Sequence, residues 1–530
     1  MKDPVLYLRN EMKTGQSEQD GQSGFARRAA WLTTANSIAF GLSFIAPLLL
    51  VRTLSQTEFG VYKQAFQILT STISLLNLQV ASTAYYFAPR EPEKKLQVMI
   101  NVVAFYAAAG ALVAALFIAY PECALLVFEG GDLPTYMPLL GVTILLWMVS
   151  ANLEVIPLAL GDVRATSFFV VVAQLSKSAL TVAAALVFHS VRAMIWASAI
   201  QGLLQILFMF AYIRRRFGQR GWIHGAFDWA LFKAQIANAL PYGLGGFAQT
   251  AQADMHSFMV SRYFPPAGFA VYSVGLFQLP LFGLLTNSFR DALIPEVSEL
   301  AAAGERRAII PVWLNAARKL ALVVVPTCAL MFVLRYEIIT LLFTSAYSEA
   351  APLFGIYLFS ALLPVALTGA PIRAHQEFKF FRLKLHLALL PVTFVAIYAG
   401  IRAAGLTGAV IALVGVQTLE AAIAVTAIGR RLGFVTGDLR HLRPALKTAL
   451  AAGVAALAAF AVKLQLAQAH TLAKMIVCGA VFGAAYVFAA YALGAVTDAE
   501  KAEFRAALSR FMSRGTRARQ KLGATGTTID

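Results

Sequence analysis

Apolar runs of about 20 residues, separated by short charged loops, recur along almost the whole chain, and a helix needs about that length to cross the hydrocarbon core of a bilayer. Fourteen such runs can be read. Six lie near 29–50, 61–88, 96–119, 137–158, 165–188 and 192–213; six more near 236–261, 267–289, 308–333, 351–370, 381–400 and 405–428; and a last pair near 444–462 and 472–495. Composition agrees. Of 530 residues 59% are hydrophobic and only 13% charged, where a soluble chain carries about 25% charged residues. The expected fold class is an all-α polytopic membrane protein with about fourteen transmembrane helices.

The net charge of +17 raises the question of nucleic acid, and the placement of the charges answers it. With the N-terminus inside, the cytoplasmic segments and their flanks hold 33 of the 44 Lys and Arg, including Arg214, Arg215, Arg216, Arg430 and Arg431. The opposite loops hold seven, and the loop 121–136 has none but carries Glu122, Glu129 and Asp132. This asymmetry is the positive-inside pattern. It places both termini in the cytoplasm and makes the basic excess topological, with membrane lipids as partners and no nucleic acid. The first 24 residues are polar, with no apolar core before a small-residue cleavage site, so no cleaved signal peptide is expected. The three cysteines, Cys123, Cys328 and Cys478, are far apart and odd in number, with no disulfide framework or Cys–His metal spacing. No metal and no cofactor is expected.

The chain repeats itself at an offset of 210. "LVRTLSQTEFGVYKQAFQ" at 50–67 returns as "VSRYFPPAGFAVYSVGLFQ" at 260–278, with Arg52 on Arg262, Phe59 on Phe269, Val61 on Val271, Tyr62 on Tyr272 and, further on, Asn77 on Asn287. The first loop joins spans 1 and 2, the second joins spans 7 and 8. The expected organisation is a cytoplasmic tail (1–28), an N-terminal six-helix lobe (29–213), a basic cytoplasmic linker (214–235) and a C-terminal six-helix lobe (236–428). A basic cytoplasmic loop (429–443), a helix pair (444–495) and a basic cytoplasmic tail (496–530) complete it. An even number of spans per lobe gives a parallel repeat about an axis along the membrane normal.

The loop "VRTLSQTEFGVYKQA", with Arg52, Leu54, Phe59, Gly60, Tyr62 and Ala65 in the pattern ARxLxxxxFGxYxxA, resembles the polysaccharide flippases of the multidrug/oligosaccharidyl-lipid/polysaccharide exporter superfamily. The second copy departs from it, with Ala270 for Gly60 and Gly268-Phe269 for the acidic-Phe step. The resemblance implies two six-helix lobes around a central cavity, alternating access, a polyprenyl-diphosphate-linked oligosaccharide as cargo, and a polysaccharide polymerase or other assembly enzyme as a possible partner. Lipid II flippases of the same superfamily carry charges in their first span; residues 29–50 here carry none.

Polar stripes inside spans turn away from lipid. Span 2 aligns Lys63, Gln67, Thr70, Ser74 and Asn77 on one helical face; span 5 aligns Ser167, Gln174, Lys177, Ser178 and Thr181; span 6 aligns Ser198, Gln201, Gln205 and Tyr212. Span 7 aligns Asn238, Tyr242, Gly245, Gln249, Gln252 and His256, and on a second face Thr250, Asp254, Ser257 and Ser261. These stripes read as a water-filled path or, residue by residue, as hydrogen bonds between helices. Lys177, in the middle of span 5, reads as the counter-charge for an anionic diphosphate or as half of a structural ion pair. Asp254 and His256 are candidates for proton or cation coupling, and Glu420 for coupling or for pairing with Arg318 or Lys319. Arg52 and Arg262 read as anchors of the outer loops. Pro241 with Gly243, Gly245 and Gly246 marks a point where span 7 can bend.

No GxxxxGK[ST] loop, GxSxG elbow or HExxH occurs. Three functions stay open: a lipid-linked saccharide flippase in a bacterial cytoplasmic membrane, a drug or cation antiporter of the same superfamily, and a membrane polysaccharide polymerase or ligase. The last usually needs a large outer loop with reactive Arg or His, and the outer loops here are short. The expectation is a transporter and not an enzyme.

Overall fold

The computed structural model describes residues 45–128, 132–224, 227–375 and 380–495, with Trp31, Thr34, Ser37, Ile38, Gly41 and Phe378 besides. Half of the expected span 29–50 and the whole of the two tails fall outside the described residues. In chain order the helices are α1 (Gln56–Leu76), α2 (Thr83–Arg90), α3 (Lys95–Ala119), α4 (Leu133–Ser150), α5 (Asn152–Ala159), α6 (Val163–Phe188), α7 (Val191–His224), α8 (Trp229–Tyr263) and α9 (Pro266–Gly275). There follow α10 (Pro280–Ala302), α11 (Ile309–Val333), α12 (Arg335–Phe343), α13 (Ala350–Tyr357), α14 (Gly369–Ala374), α15 (Phe381–Leu432), α16 (Arg443–Gln465) and α17 (Thr471–Ala492). No strand occurs among the described residues.

The protein is an all-helical, multi-pass membrane protein. Among the described residues eight helical stretches are long and apolar enough to cross a membrane. That count differs from fourteen for physical reasons. The stretch Phe381–Leu432 covers two expected spans and is broken at Ala404 and Gly405, the latter at φ 58°. α1 and α8 are long enough, but their polar stripes lower their hydropathy. Other expected spans are interrupted: 61–88 is α1 and α2 with a break between, and 267–289 divides into α9 and α10 ahead of Pro280.

Local sequence sets the helix starts. Ser55 and Glu58 form the capping box of α1: Glu58 N–H donates to Ser55 Oγ at 3.2 Å and Ser55 N–H to Glu58 Oε2 at 2.9 Å. Asp162 caps α6 through Ala165 N–H at 3.0 Å, and Asp228 caps α8 through Leu231 N–H at 3.0 Å. α8 runs 35 residues through Pro241.

The chain divides into two compact units. The first takes residues up to 281 with 339–357 and 376–420, the second 282–338, 358–375 and the chain from 421 on. Within the first unit, α3 and α4 run antiparallel with their backbones close. A methyl added at Gly110 would stand 2.8 Å from Leu145 Cα, and one at Gly141 2.9 Å from Ala114 Cα. In lipid no hydrophobic force drives helices together, so close approach through small residues supplies the attraction. The two copies of the repeated loop also meet. Gly60 of α1 lies against the Pro266 carbonyl at the start of α9, with no room for a Cβ. Ala270, its counterpart, is fully buried. This packing gives the glycine of the motif its reason.

α1 ends in a break that its sequence does not announce. Leu78 and Gln79 both take left-handed φ values, 44° and 57°, a conformation costing about 1–2 kcal/mol for a residue with a Cβ. Tertiary contacts hold it. Tyr106 Oη donates to Asn77 and accepts from Ala81 N–H at 3.0 Å, and Gly243 of α8 presses against the Leu78 carbonyl. The start of α8 is tied to α3 by buried amides. Asn101 Nδ2 donates to Gln235 Oε1 and to Asp228 O, both at 3.0 Å; Gln235 Nε2 donates to Thr83 Oγ1 and Val98 O, both at 3.2 Å. Lys94 Nζ lies 2.9 Å from Asp228 Oδ2.

In the second unit α16 and α17 pack against each other and against α11. Ala455, Ala459, Cys478 and Phe482 join Val333 and Leu334 in one core. Lys463 Nζ pairs with Glu337 Oε2 at 2.7 Å and donates to Val333 O at 2.7 Å, and Tyr486 Oη donates to Leu322 O at 3.0 Å. Trp313 Nε1 donates to Ala366 O at 2.6 Å.

Candidate functional site

Polar side chains of the first unit gather in two places. The first is built by α1, α4, α6 and α7. Lys177 of α6 is half-buried, its Nζ over the ring of Trp147 at 4.4 Å from the centroid. Trp147 Nε1 donates to Ser198 O at 2.8 Å, and the ring meets Phe66 in a T-shaped contact at 6.2 Å. Phe66 leads on to Tyr62 at 4.4 Å and Tyr62 to Phe59 at 6.2 Å, where Lys63 stands over the Phe59 ring at 5.4 Å. A line of four aromatic rings thus has a lysine at each end. Gln174 Nε2 donates to Ser178 Oγ at 3.3 Å and Gln201 Nε2 to Ala173 O at 3.4 Å. Gln205, on the face of Gln201, is half-buried.

Neither Lys63 nor Lys177 pairs with a carboxylate among the described residues. The ion-pair alternative for Lys177 therefore finds no acid there. Magnitudes show what that leaves open. A charge at the centre of a membrane helix costs about 2.5–3.5 kcal/mol on insertion scales. A cation over an aromatic face recovers about 0.5–2 kcal/mol. The ring offsets only part of the cost.

The second place is α8. Asn238, Tyr242 and Gln249 are exposed, and a Cβ on Gly245 or Gly246 would meet nothing within 4 Å, so this face borders open space. From Gln252 onward the helix is engaged. Ser71 Oγ donates to Asp254 Oδ2 at 2.5 Å and accepts from Gln67 Nε2 at 2.7 Å, which ties Asp254 to α1. His256 Nδ1 lies 2.8 Å from Tyr272 Oη and 3.3 Å from Ser257 Oγ. Gln252 Oε1 lies 2.6 Å from His386 Nδ1, and Gln252 Nε2 donates to Glu420 Oε2 at 3.3 Å. An ionised Glu420 only accepts, so Gln252 must turn its NH2 to it and its oxygen to His386, whose Nδ1 must then carry the proton. One buried amide couples two titratable groups.

The structure brings Lys177, Gln174 and Gln201 near one another and joins Gln252 to Glu420, whereas Asp254 is bonded to Ser71 and His256 lies against Tyr272. Asn77 is elsewhere, with its Oδ1 taken by Tyr106 at the break after α1. Arg52 donates to Leu341 O at 2.6 Å, and Gln56 beside it to Ala346 O at 2.5 Å. Arg318 donates to Asn315 on its own helix at 3.0 Å. Reading the sequence missed Trp147, Ser71, Tyr272 and His386. His386 was findable, because it is an ionisable residue inside an apolar run. Ser71 flanks the span 2 stripe, one turn after Gln67, and was legible from spacing; Trp147 is one apolar residue among many.

A family described as polysaccharide biosynthesis protein matches residues 25–301, more than half of the chain. No curated protein matches the sequence. Among solved structures, a lipid II flippase, MurJ, in an inward closed conformation aligns with a TM-score of 0.61 at 12% identity, over 86% of this chain and 97% of that one. A transporter of the MOP superfamily from Pyrococcus furiosus aligns at 0.55 and 14% identity, over 77% and 95%. An inward-facing multidrug resistance MATE family transporter of that superfamily aligns at 0.54 and 15% identity, over 76% and 94%. These likenesses establish the fold as that of MOP-superfamily transporters, and the sequence match identifies the chain as a member of the polysaccharide biosynthesis protein family.

Proposed function

We propose that the protein flips a polyprenyl-diphosphate-linked oligosaccharide from the inner to the outer leaflet of a bacterial cytoplasmic membrane, for cell-surface or exopolysaccharide assembly. The observation that carries this reading is Lys177, a cation within a membrane helix with no carboxylate partner among the described residues and an aromatic ring beneath it. A diphosphate head supplies the missing negative charge, and the half-buried ring of Trp147 suits a sugar ring. In this reading two six-helix lobes, 29–213 and 236–428, alternate access around a path that includes Gln174, Gln201, Gln205, Asn238, Gln249 and Gln252. Asp254, His256 and Glu420 are its coupling groups. Both termini lie in the cytoplasm, as the Lys and Arg distribution requires. A membrane potential negative inside favours outward movement of an anion by about 2.3 kcal/mol per charge per 100 mV, so movement needs no ATP and the protein acts as a transporter without enzymatic chemistry.

The test is deletion and reconstitution. Cells without the gene should lose surface polysaccharide and accumulate the lipid-linked unit on the inner leaflet, and purified protein in liposomes should move a labelled unit between leaflets. Unchanged leaflet distribution in the deletion strain, with no movement in liposomes, would sink the reading.

A further inference from the structure

The indole of Trp147 is fixed by its neighbours and covered by a residue that can leave. Its Nε1–H is held by Ser198 O at 2.8 Å and its plane by the T-shaped contact with Phe66. Over the ring lies the Lys177 ammonium, on a flexible four-carbon stem. That ammonium has no carboxylate partner among the described residues, so nothing of opposite charge holds it on the ring.

We infer that Trp147 is the stacking platform for the sugar nearest the diphosphate, and that Lys177 covers the platform only while no anion is bound. The inference rests on the flippase reading. A phosphate oxygen attracts an ammonium more strongly than a ring quadrupole does, because it carries a full charge and accepts charge-assisted hydrogen bonds. When the diphosphate arrives, Nζ turns from the indole to the phosphate and the ring face opens. In a lipid-linked saccharide the first sugar is bonded directly to the diphosphate, so it arrives where the face has opened. The C–H hydrogens on a pyranose face are electropositive, and the face of an indole is electronegative, so the two stack as aromatic rings attract polarised edges. Gln174, one turn before Lys177 and donating to Ser178 Oγ at 3.3 Å, offers its amide to a sugar hydroxyl. Lys177 thus links the two halves of recognition: the anion clears the site that the sugar then fills. A diphosphate lipid without sugar gains the first contact and not the second.

The experiment uses the full chain in lipid nanodiscs and two probes, undecaprenyl diphosphate and the same lipid carrying one N-acetylglucosamine. Wild-type protein should prefer the sugar-bearing lipid by roughly tenfold, the scale of one aromatic stacking contact. Trp147→Leu should bind both lipids equally, at the level of the sugar-free one, and Trp147→Phe should keep part of the preference. Should Trp147→Leu fail to fold, Trp147→Phe still decides through fluorescence: a change in tryptophan emission on adding the sugar-bearing lipid should appear in wild type and be lost in the Phe variant. An undiminished preference in Trp147→Leu, or an identical emission response in wild type and Trp147→Phe, overturns the inference and leaves the flippase reading standing. Failure of wild type to bind either lipid overturns both.

Discussion

Lys177 Nζ rests 4.4 Å from the ring centroid of Trp147 and meets no carboxylate among the described residues. An ammonium so placed inside a membrane helix is expected to be spent on cargo. Lys177→Arg should retain export because the charge persists. If Lys177 meets the diphosphate, Lys177→Ala loses a charge-assisted contact of about 1.5–3 kcal/mol, and affinity should fall roughly 10- to 150-fold. Lys177→Glu should block surface polysaccharide outright. The measurement is surface polysaccharide at matched protein levels. Normal export by a stably expressed Lys177→Glu protein would remove Lys177 from the path.

The glycines of α1 and α8 separate into two kinds. A methyl on Gly60 or Gly243 meets backbone, the Pro266 and Leu78 carbonyls respectively, whereas a methyl on Gly245 or Gly246 meets nothing within 4 Å. Gly60→Ala and Gly243→Ala should each cost about 1–3 kcal/mol through forced backbone shifts. Gly245→Ala and Gly246→Ala should leave the thermal midpoint unchanged or raise it, since alanine favours helix by about 1 kcal/mol. Melting curves of the four variants give the ranking, and equal losses would contradict it.

Gln252 should matter to stability more than its neighbours in the path. Gln252→Leu leaves both His386 and Glu420 without it, at about 1–3 kcal/mol for stranded buried groups. Glu420→Gln keeps an amide-to-amide bond and should melt close to wild type. If Glu420 takes part in coupling, that stable variant should lose transport. A Glu420→Gln protein with wild-type transport would confine the residue to a structural role.

Asp228 gives a pH dependence outside the membrane. The Leu231 N–H and then Lys94 hold its carboxyl below the ordinary carboxylate range. A lowered folded-state value means the stabilisation is complete above the unfolded value of about 4 and is lost as pH falls through the folded value. The thermal midpoint of the wild type should therefore drop with acid, and Asp228→Asn should lose this part of the slope while keeping a cap on α8. Identical acid slopes in the two proteins would show that Asp228 contributes nothing.

A largely buried ion pair fastens α16, through Lys463, to Glu337 of α12. Glu337→Leu alone strands Lys463 and should cost about 3–5 kcal/mol, whereas Glu337→Leu with Lys463→Met should be far milder. A mild Glu337→Leu variant, with the damage appearing only on Lys463→Met, would mean that Lys463 is held by Val333 O and not by the acid.

Much of this was legible in the sequence because the membrane simplifies the code. The span boundaries of α3, α6 and α17 follow from apolar run length alone, and the polar faces of α1 and α8 follow from spacing. The Ser55–Glu58 box starts α1 at Gln56, ahead of the expected start near 61, where apolar run length alone put it. What stayed hidden is tertiary. Leu78 and Gln79 are neither glycine nor proline, and their break exists because Tyr106 and Gly243 hold it. The pairing of Gln252 with His386 and Glu420 joins residues 134 and 168 positions apart, which no local pattern can show. The stripe that puts Asn77 beside Lys63 assumed one uninterrupted helix, and Asn77 sits where that helix ends.

The contact of Gly60 with Pro266 also ties the two copies of the loop to each other. Here a residue of one half presses on the backbone of the other at the same loop of the repeat, so each copy limits what its twin can become. A side chain at position 60 demands retreat at position 266, and the counterpart at 270 already carries the methyl group that 60 cannot accept. The two loops can meet because they differ here: position 60 has no room for a methyl group, and the one at 270 is buried.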